Sequence, residues 1–284
     1  MSDIGRLCEP IPEVAIVSTK GLRMRTVDRL GVVVCGAMHC DRSSMVVGSN
    51  SAGPNWVESP SLCVLVETSA GTVLWDTSCP RDWRTRWEPQ GGNLANPYDL
   101  VGDDEYLDVQ LNNIGVGLDE IDYVVFSHLH IDHAGNGHLF KDTNAKLICS
   151  ADEKEFAFGF DGPFAGGHLK RDYEDLSLET VSGDTEILPG VTLIQAPGHT
   201  VGSMAMQVDL EDSGTMIFTS DSVFLGENFG PPVAKPGFVT DLRMWFASVE
   251  KLRQIQERTD ATMVFGHDAE QVPRLKRAPE MWYV

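Results

Sequence analysis

The sequence predicts a layered α/β protein, with helices covering β-sheets, and three observations carry that prediction. Short apolar runs of strand length recur between turn signals along the chain. Two segments repeat their apolar residues at three and four, the spacing of one helix face. The two kinds of segment alternate instead of segregating, which is the pattern of sheets with helices packed on their faces.

Residues 1–28 carry Pro10, Pro12 and the cations Lys20, Arg23 and Arg25, and read as an N-terminal arm. A single domain is expected over residues 29–284. Gly31–Met38 is β-rich, and Leu62–Glu67 and Thr72–Trp75 flank Ser69-Ala70-Gly71 as in a hairpin. In Asp103–Ile114, Tyr106, Leu107, Leu111 and Ile114 share a helical face. Ile121–Phe126 is a buried strand that runs into a histidine cluster. Lys146–Cys149, Val191–Gln195, Met204–Val208, Met216–Phe218 and Thr262–Phe265 are further strands. Asp241–Arg258 is the strongest amphipathic segment, through Leu242, Trp245, Phe246, Val249, Leu252 and Ile255. Gly48–Pro60, Pro89–Pro97 and Gly226–Gly237 read as surface loops. One internal echo stands out: Gly71-Thr72-Val73-Leu74-Trp75-Asp76-Thr77-Ser78 resembles Gly214-Thr215-Met216-Ile217-Phe218-Thr219-Ser220-Asp221. It suits a fold of two similar halves with a site at their junction.

Composition narrows the partners. A formal net charge of −20 repels phosphate backbones and anionic membranes, so neither nucleic acid nor a membrane is an expected partner. No stretch reaches the roughly 20 apolar residues that span a bilayer. Met1-Ser2-Asp3-Ile4-Gly5-Arg6 lacks the basic-then-apolar pattern of a secretory signal, so a cytoplasmic location is expected. The six cysteines include no CxxC pair and read as free thiols; Cys35 and Cys40 read as strand packing, not as metal ligands. The sequence leaves the oligomeric state open, a homodimer included.

The sharpest feature is His128-Leu129-His130-Ile131-Asp132-His133, directly after the strand Ile121–Phe126. Residues two apart on a strand project the same way, which brings His128 and His130 together. The small residues Ala134-Gly135-Asn136-Gly137 suit a tight turn that swings Asp132 and His133 back to the same point. Imidazole and carboxylate donors this dense suit zinc, iron, manganese or cobalt. Downstream, His199 follows Val191–Gln195, Asp221 follows Met216–Phe218, and His267 follows Thr262–Phe265. Strand ends along one sheet edge are where α/β sites assemble. His39, His138 and His168 lack that setting and are expected to be structural.

In that order, His128-x-His130-x-Asp132-His133, His199, Asp221 and His267 resemble the full motif set of the metallo-β-lactamase superfamily, over about Leu30 to Gln271. Within it the likeness is to the N-acyl-homoserine lactonases, through Cys40-Asp41-Arg42-Ser43-Ser44, Val73-Leu74-Trp75-Asp76-Thr77, Gly266-His267-Asp268 and Glu227-Asn228-Phe229. The resemblance implies an αββα sandwich, two sheets packed together with helices outside. It implies two divalent metal ions, zinc foremost: His128, His130 and His199 on one, Asp132, His133 and His267 on the other, and Asp221 between them. Asp76 would orient a histidine ligand, and Asp132 and Asp221 would be catalytic carboxylates.

Two such metals activate a shared water as hydroxide, which implies attack on the carbonyl of a small lactone. No Gly-x-Ser-x-Gly elbow is present for a serine route. The runner-up is another ester or thioester hydrolase, like glyoxalase II. That group carries a helical domain after the last metal histidine, where this sequence has 284 − 267 = 17 residues. A binding protein that has lost its metals would have lost ligands, and none is lost here. One departure bears on substrate: the lactonases carry a tyrosine, a substrate hydrogen-bond donor, three residues after the bridging Asp, and this chain has Phe224. Phe224 and Phe229 are the candidate pocket residues. Trp83, Trp87, Phe156, Phe158, Phe160 and Phe164 lie in or near expected loops, where ordinary packing accounts for them equally well.

Overall fold

The structure, a computed structural model, describes residues 27–53, 55–87, 101–162 and 164–284. In chain order its elements are β1 (Val27–Asp41), β2 (Trp56–Thr68), β3 (Gly71–Trp75), α1 (Trp83–Trp87), α2 (Leu107–Ile114), β4 (Tyr123–Val125), α3 (Ile131–Ala134), β5 (Lys146–Ser150) and α4 (Ala151–Gly159). There follow β6 (Phe164–Ala165), β7 (His168–Leu169), β8 (Leu178–Val181), β9 (Thr185–Leu188), β10 (Val191–Gln195), β11 (Met204–Leu210), β12 (Gly214–Phe218), α5 (Gly226–Phe229), α6 (Leu242–Thr259) and β13 (Thr262–Val264). Residues 1–26, most of the expected arm, and the expected loop Pro89–Pro97 lie outside the described residues.

One sheet has the order β1-β2-β3-β4-β5-β8, antiparallel through β3 and parallel beyond it. The other has the order β13-β12-β11-β10-β9, antiparallel except for the parallel pair β12 and β13. Alternation along the strands sorts the apolar side chains into layers. Val32, Val64, Val66, Val73 and Trp75 face Leu193, Met204, Met206, Val208, Met216 and Phe218 between the sheets. Their neighbours Val33, Leu65, Leu74 and Val124 face outward under Leu107 and Leu111 of α2. On the second sheet Ile194, Ala205, Ile217 and Met263 face Trp245, Val249, Leu252 and Ile255 of α6. The order helix, sheet, sheet, helix is the αββα sandwich.

The inner strands and α6 follow the sequence reading closely; the differences have local causes. β1 and β2 run past their apolar centres as a ladder of mixed burial, from exposed Trp56 to buried Ser59, so Trp56–Pro60, read as loop, pair with Asp41 through Ala37. β8 and β9 are short and largely polar on their exposed faces and gave no apolar run to read. Phe156 and Phe158 lie on α4 instead of a loop, and α5 interrupts the loop Gly226–Gly237. The internal echo corresponds to β3 and β12, each with an antiparallel neighbour on one side and a parallel one on the other. Among the described residues no helix is long and apolar enough to cross a membrane.

Helix α6 starts where Asp241 Oδ1 accepts from the backbone N–H groups of Arg243 and Met244, at 2.8 and 2.9 Å. It ends at Asp260, which adopts the left-handed conformation. Asp241→Ala leaves both N–H groups without that acceptor. The expected loss is about 1 kcal/mol of unfolding free energy, read as a lower urea midpoint at unchanged slope.

Candidate metal centre

The site is assembled from strand ends at one edge of the sandwich. Asp76 follows β3, the histidine cluster follows β4, His199 follows β10, Asp221 follows β12 and His267 follows β13. The chain leaves β4 because its next polar groups bond elsewhere. Ser127 N–H donates to Asp76 Oδ1 at 2.7 Å, and Ser127 O accepts from Met204 N of the other sheet at 2.9 Å. His128 and His130 are therefore not a continuing strand, as the spacing suggested. The helical turn α3 swings Asp132 and His133 back, and the small residue after it is needed: a Cβ on Gly135 would lie 2.6 Å from Ile131 O. Asp76 and Ser220 both take left-handed backbone, φ 59° and 45°, a strained state that persists only where surrounding contacts enforce it. Gly198, at φ +136°, lies so close to Trp245 that a Cβ would sit 2.4 Å from its backbone.

All seven expected metal ligands are buried and come together in two groups that share Asp221. One group is His128, His130, His199 and Asp221; the other is Asp132, His133, His267 and Asp221. Asp221 Oδ2 lies 3.1 Å from His199 Nε2 and 3.7 Å from His128 Nε2. Its Oδ1 lies 2.9 Å from His267 Nε2 and 3.2 Å from His133 Nε2. His199 Nε2 is also 3.1 Å from His128 Nε2 and 2.9 Å from His130 Nδ1. Asp132 Oδ2 stands 3.3 Å from His133 Nε2.

Outer partners hold the far side of four rings. His133 Nδ1 meets Asp76 Oδ2 at 2.8 Å, His267 Nδ1 meets Pro60 O at 2.8 Å, His199 Nδ1 meets Phe238 O at 3.2 Å, and His128 Nδ1 meets Ser127 Oγ at 3.0 Å. A nitrogen fixed in this way leaves the other free to bind. His133 Nε2 and Asp221 Oδ1 have no hydrogen-bond partner although both are buried; their 3.2 Å approach lacks hydrogen-bond geometry.

Burial opposes charge on every group here, and the neighbours decide the outcome. For Asp221, His267, His133 and His199 outweigh burial and hold the carboxyl well below the usual range. Burial also opposes protonation of His133, but Asp132, Asp221 and Asp76 raise its pKa well above the ordinary value. His267 is raised against burial by Asp221 and Asp132. His128 and His130 are depressed by burial, reinforced by neighbouring histidines, and His199 is depressed by burial against the opposing pull of Asp221 and Phe238 O.

The aromatic surroundings divide. Phe224 stacks on His267 at 5.9 Å and stands edge-on to His199 at 5.1 Å, one ring against each group. Phe229 is buried under α6 against Phe265, in the core instead of beside the metal ligands. Phe238, not singled out from the sequence, is 45% exposed and stacks on His130 at 5.5 Å. Ser127, Ser220, Glu153 and His168 were also missed as parts of the site. Ser127 and Ser220 share a 2.8 Å hydrogen bond behind His133, and buried His168 packs edge-on against His130. The described cysteines are free thiols and none joins either metal-ligand group; burial and Asp132 push the Cys40 thiol up to about 12.

The chain is similar to known proteins over most of its length. The profile of the Metallo-beta-lactamase superfamily matches residues 56–267. An N-acyl homoserine lactonase of Bacillus cereus is 31% identical over 258 residues, 90% of this chain and 99% of the relative. The N-acyl homoserine lactonase AiiB of Agrobacterium fabrum (strain C58) is 30% identical over 278 residues, with the same coverage of 90% and 99%. A solved N-acyl homoserine lactone hydrolase, with N-hexanoyl-L-homoserine bound at its catalytic metal centre, superposes at TM-score 0.79 and 27% identity, over 91% of this chain and 100% of that one.

Asp76 is the hydrogen-bond partner of both His133 and Ser127. Asp76→Ala is expected to weaken metal binding at the Asp132, His133 and His267 group by roughly 10–100-fold. Competition with a chromophoric chelator reads that loss.

Proposed function

This chain belongs to the metallo-beta-lactamase superfamily, and we propose that it is a dinuclear metal-dependent hydrolase that opens a small lactone, an N-acyl homoserine lactone or a related ring. The observation that carries this reading is the pair of buried donor groups sharing Asp221, with His133 Nε2 and Asp221 Oδ1 left unpaired by the chain. Zinc–nitrogen bonds of about 2.0–2.1 Å in tetrahedral geometry place ligand atoms roughly 3.3 Å apart. The 2.9–3.2 Å separations around His199 and His133 suit such a centre. His128, His130 and His199 would hold one ion, Asp132, His133 and His267 the second, and Asp221 would face both. Zinc is the proposed metal; iron, manganese and cobalt accept the same donors.

When bound, a metal pair of this kind lowers the pKa of a shared water and polarises a carbonyl oxygen. The chain supplies the rest. Asp76, Pro60 O, Phe238 O and Ser127 fix four imidazole orientations before substrate arrives. Asp132, at 8% the most exposed of the seven, is held ionised against burial by His133 and His267 and would serve the second ion as a ligand facing the substrate side. Asp221 is likewise held ionised by the histidines around it. Phe224 walls the centre on one side, and the exposed ring of Phe238 offers an apolar surface beside His130 for an acyl chain. The lactonase relatives supply the substrate class, and on that substrate the activity would quench acyl-homoserine lactone signalling. One catalytic domain over residues 29–284 would carry the site, and the free thiols favour a reducing, cytoplasmic setting.

A panel of lactones, glutathione thioesters and β-lactams tests this reading on metal-loaded protein. The expected result is about two metals per chain and the highest kcat/KM on a lactone. A thioester or β-lactam preferred tenfold would overturn it.

Phe224→Tyr adds a hydroxyl beside His199 and His267. A well-placed donor to a developing oxyanion is worth about 10²–10³ in kcat, so the variant is expected to gain on an N-acyl homoserine lactone. It should not gain on a lactone the wild type already prefers. Equal rate ratios on the two substrates would mean that Phe224 does not set specificity.

A further inference from the structure

Asp76 serves the group that contains His133, and the three-histidine group has a buried carboxylate of its own. Glu153, in the first turn of α4, is completely buried. Its Oε1 accepts from Leu129 N at 2.9 Å and from His168 Nε2 at 2.8 Å. Its Oε2 accepts from Thr200 Oγ1 at 2.6 Å and from Gly202 N at 3.2 Å. These donors are not scattered. Leu129 lies between His128 and His130, Thr200 follows His199 directly, and Gly202 is in the same loop. His168 stands edge-on to the His130 ring at 4.5 Å and forms a backbone bridge with it.

One side chain therefore ties the loop bearing His128 and His130 to the loop bearing His199, two loops from different sheets. The join is close-packed: a Cβ on Gly202 would lie 2.3 Å from Glu153 N. Burying a carboxylate is costly unless it is hydrogen-bonded, and hydrogen bonds to an ionised acceptor are the strong kind. A merely structural hydrogen bond could be made anywhere along α4. These bonds fix residues beside the three histidines of one group: Leu129 between His128 and His130, His168 against the His130 ring, and Thr200 next to His199.

We propose that Glu153 is the positioning residue for the His128, His130 and His199 group, setting its metal affinity separately from the Asp76-supported group. The inference rests on the reading that the two groups hold metal ions, and its test separates the two claims. Zinc titration of the wild-type protein reports on that reading: fewer than two equivalents would sink the dinuclear centre itself. Two single-group backgrounds then report on Glu153. His267→Ala leaves the three-histidine group complete, and His130→Ala leaves the other complete.

Glu153→Gln replaces one accepting oxygen by an amide that cannot accept, so one pair of donors loses its partner. In the His267→Ala background it is expected to lower zinc affinity about 10–100-fold, the usual scale for a residue that orients a ligand. In the His130→Ala background the affinity should stay within about twofold, a change smaller than one net hydrogen bond. Thr200→Val keeps the side-chain shape and removes the hydroxyl that donates to Glu153 and also meets Ser203 Oγ at 2.7 Å. It is expected to give about a fivefold loss in the first background only, the scale of one net hydrogen bond, and it serves if Glu153→Gln does not fold. Equal losses in both backgrounds would mark Glu153 as general scaffolding. An unchanged affinity in the His267→Ala background, in protein with a lowered Tm, would also overturn the assignment.

Discussion

Asp221 places a negative charge where neither sheet alone offers compensation, and much of the architecture is the arrangement that supplies it. A buried carboxylate without partners is costly enough that it would be protonated or drawn out to water. Here its two oxygens face His199 and His128 on one side and His267 and His133 on the other. Those imidazoles arrive on three separate strand-end segments, after β4, β10 and β13, so the charge is stabilised only when both sheets are stacked with their edges in line. The shifted acidities express the same balance: Asp221 is held ionised, and His133 and His267 hold protons more tightly than usual. A bound cation would take over the role of those protons and release them, coupling metal binding to the charge balance of the fold.

The sheets meet that demand through matching ends. β3 and β12 occupy equivalent places; Asp76 directly follows the last residue of β3, and Asp221 comes three residues after the last of β12. Asp76 turns back to hold Ser127 and His133, while Asp221 turns into the centre. Direct links between the halves lock the edge, among them Met204 N–H to Ser127 O, Ser127 Oγ to Ser220 Oγ, and His267 Nδ1 to Pro60 O. The left-handed backbone at Asp76 and Ser220 lies between fixed groups: Asp76 N–H donates to Val125 O and Thr77 N–H to His133 O, and Thr219 N–H donates to Val264 O.

Much of this was legible in the sequence, for reasons that can be named. Val32, Val64, Met206 and Phe218 alternate with residues of the outer layers, so period-two patterning exposed both sheets. The seven ligand candidates were legible because their residue types are unusual at strand ends and occur there repeatedly. Glu153 was not. It lies in Ala151-Asp152-Glu153-Lys154-Glu155, which reads as a solvated face, and its burial follows from the Gly202 loop lying across α4, a contact absent from local sequence. His168 was set aside because no strand precedes it, yet the small hairpin β6–β7 returns it to His130. Phe229 misled in the opposite sense: its place after the Asp221 strand suggested a pocket, but α5 turns it beneath α6.

The two halves of the centre are chemically unequal. Three imidazoles, depressed in basicity by burial, and one shared carboxylate form a nitrogen-rich group. The other group pairs two histidines of raised basicity with two carboxylates, and a third carboxylate, Asp76, stands directly behind it. Imidazole-rich sites favour zinc and its neighbours, whereas added carboxylate broadens acceptance toward harder ions such as manganese. The outer supports differ in the same sense: a charged acceptor stands directly behind His133, while Glu153 reaches its histidines only through intervening donors. A direct carboxylate contact increases the electron density on the imidazole it holds; an indirect one fixes position and leaves basicity to the surroundings. The asymmetry of the centre thus extends one layer beyond the ligands.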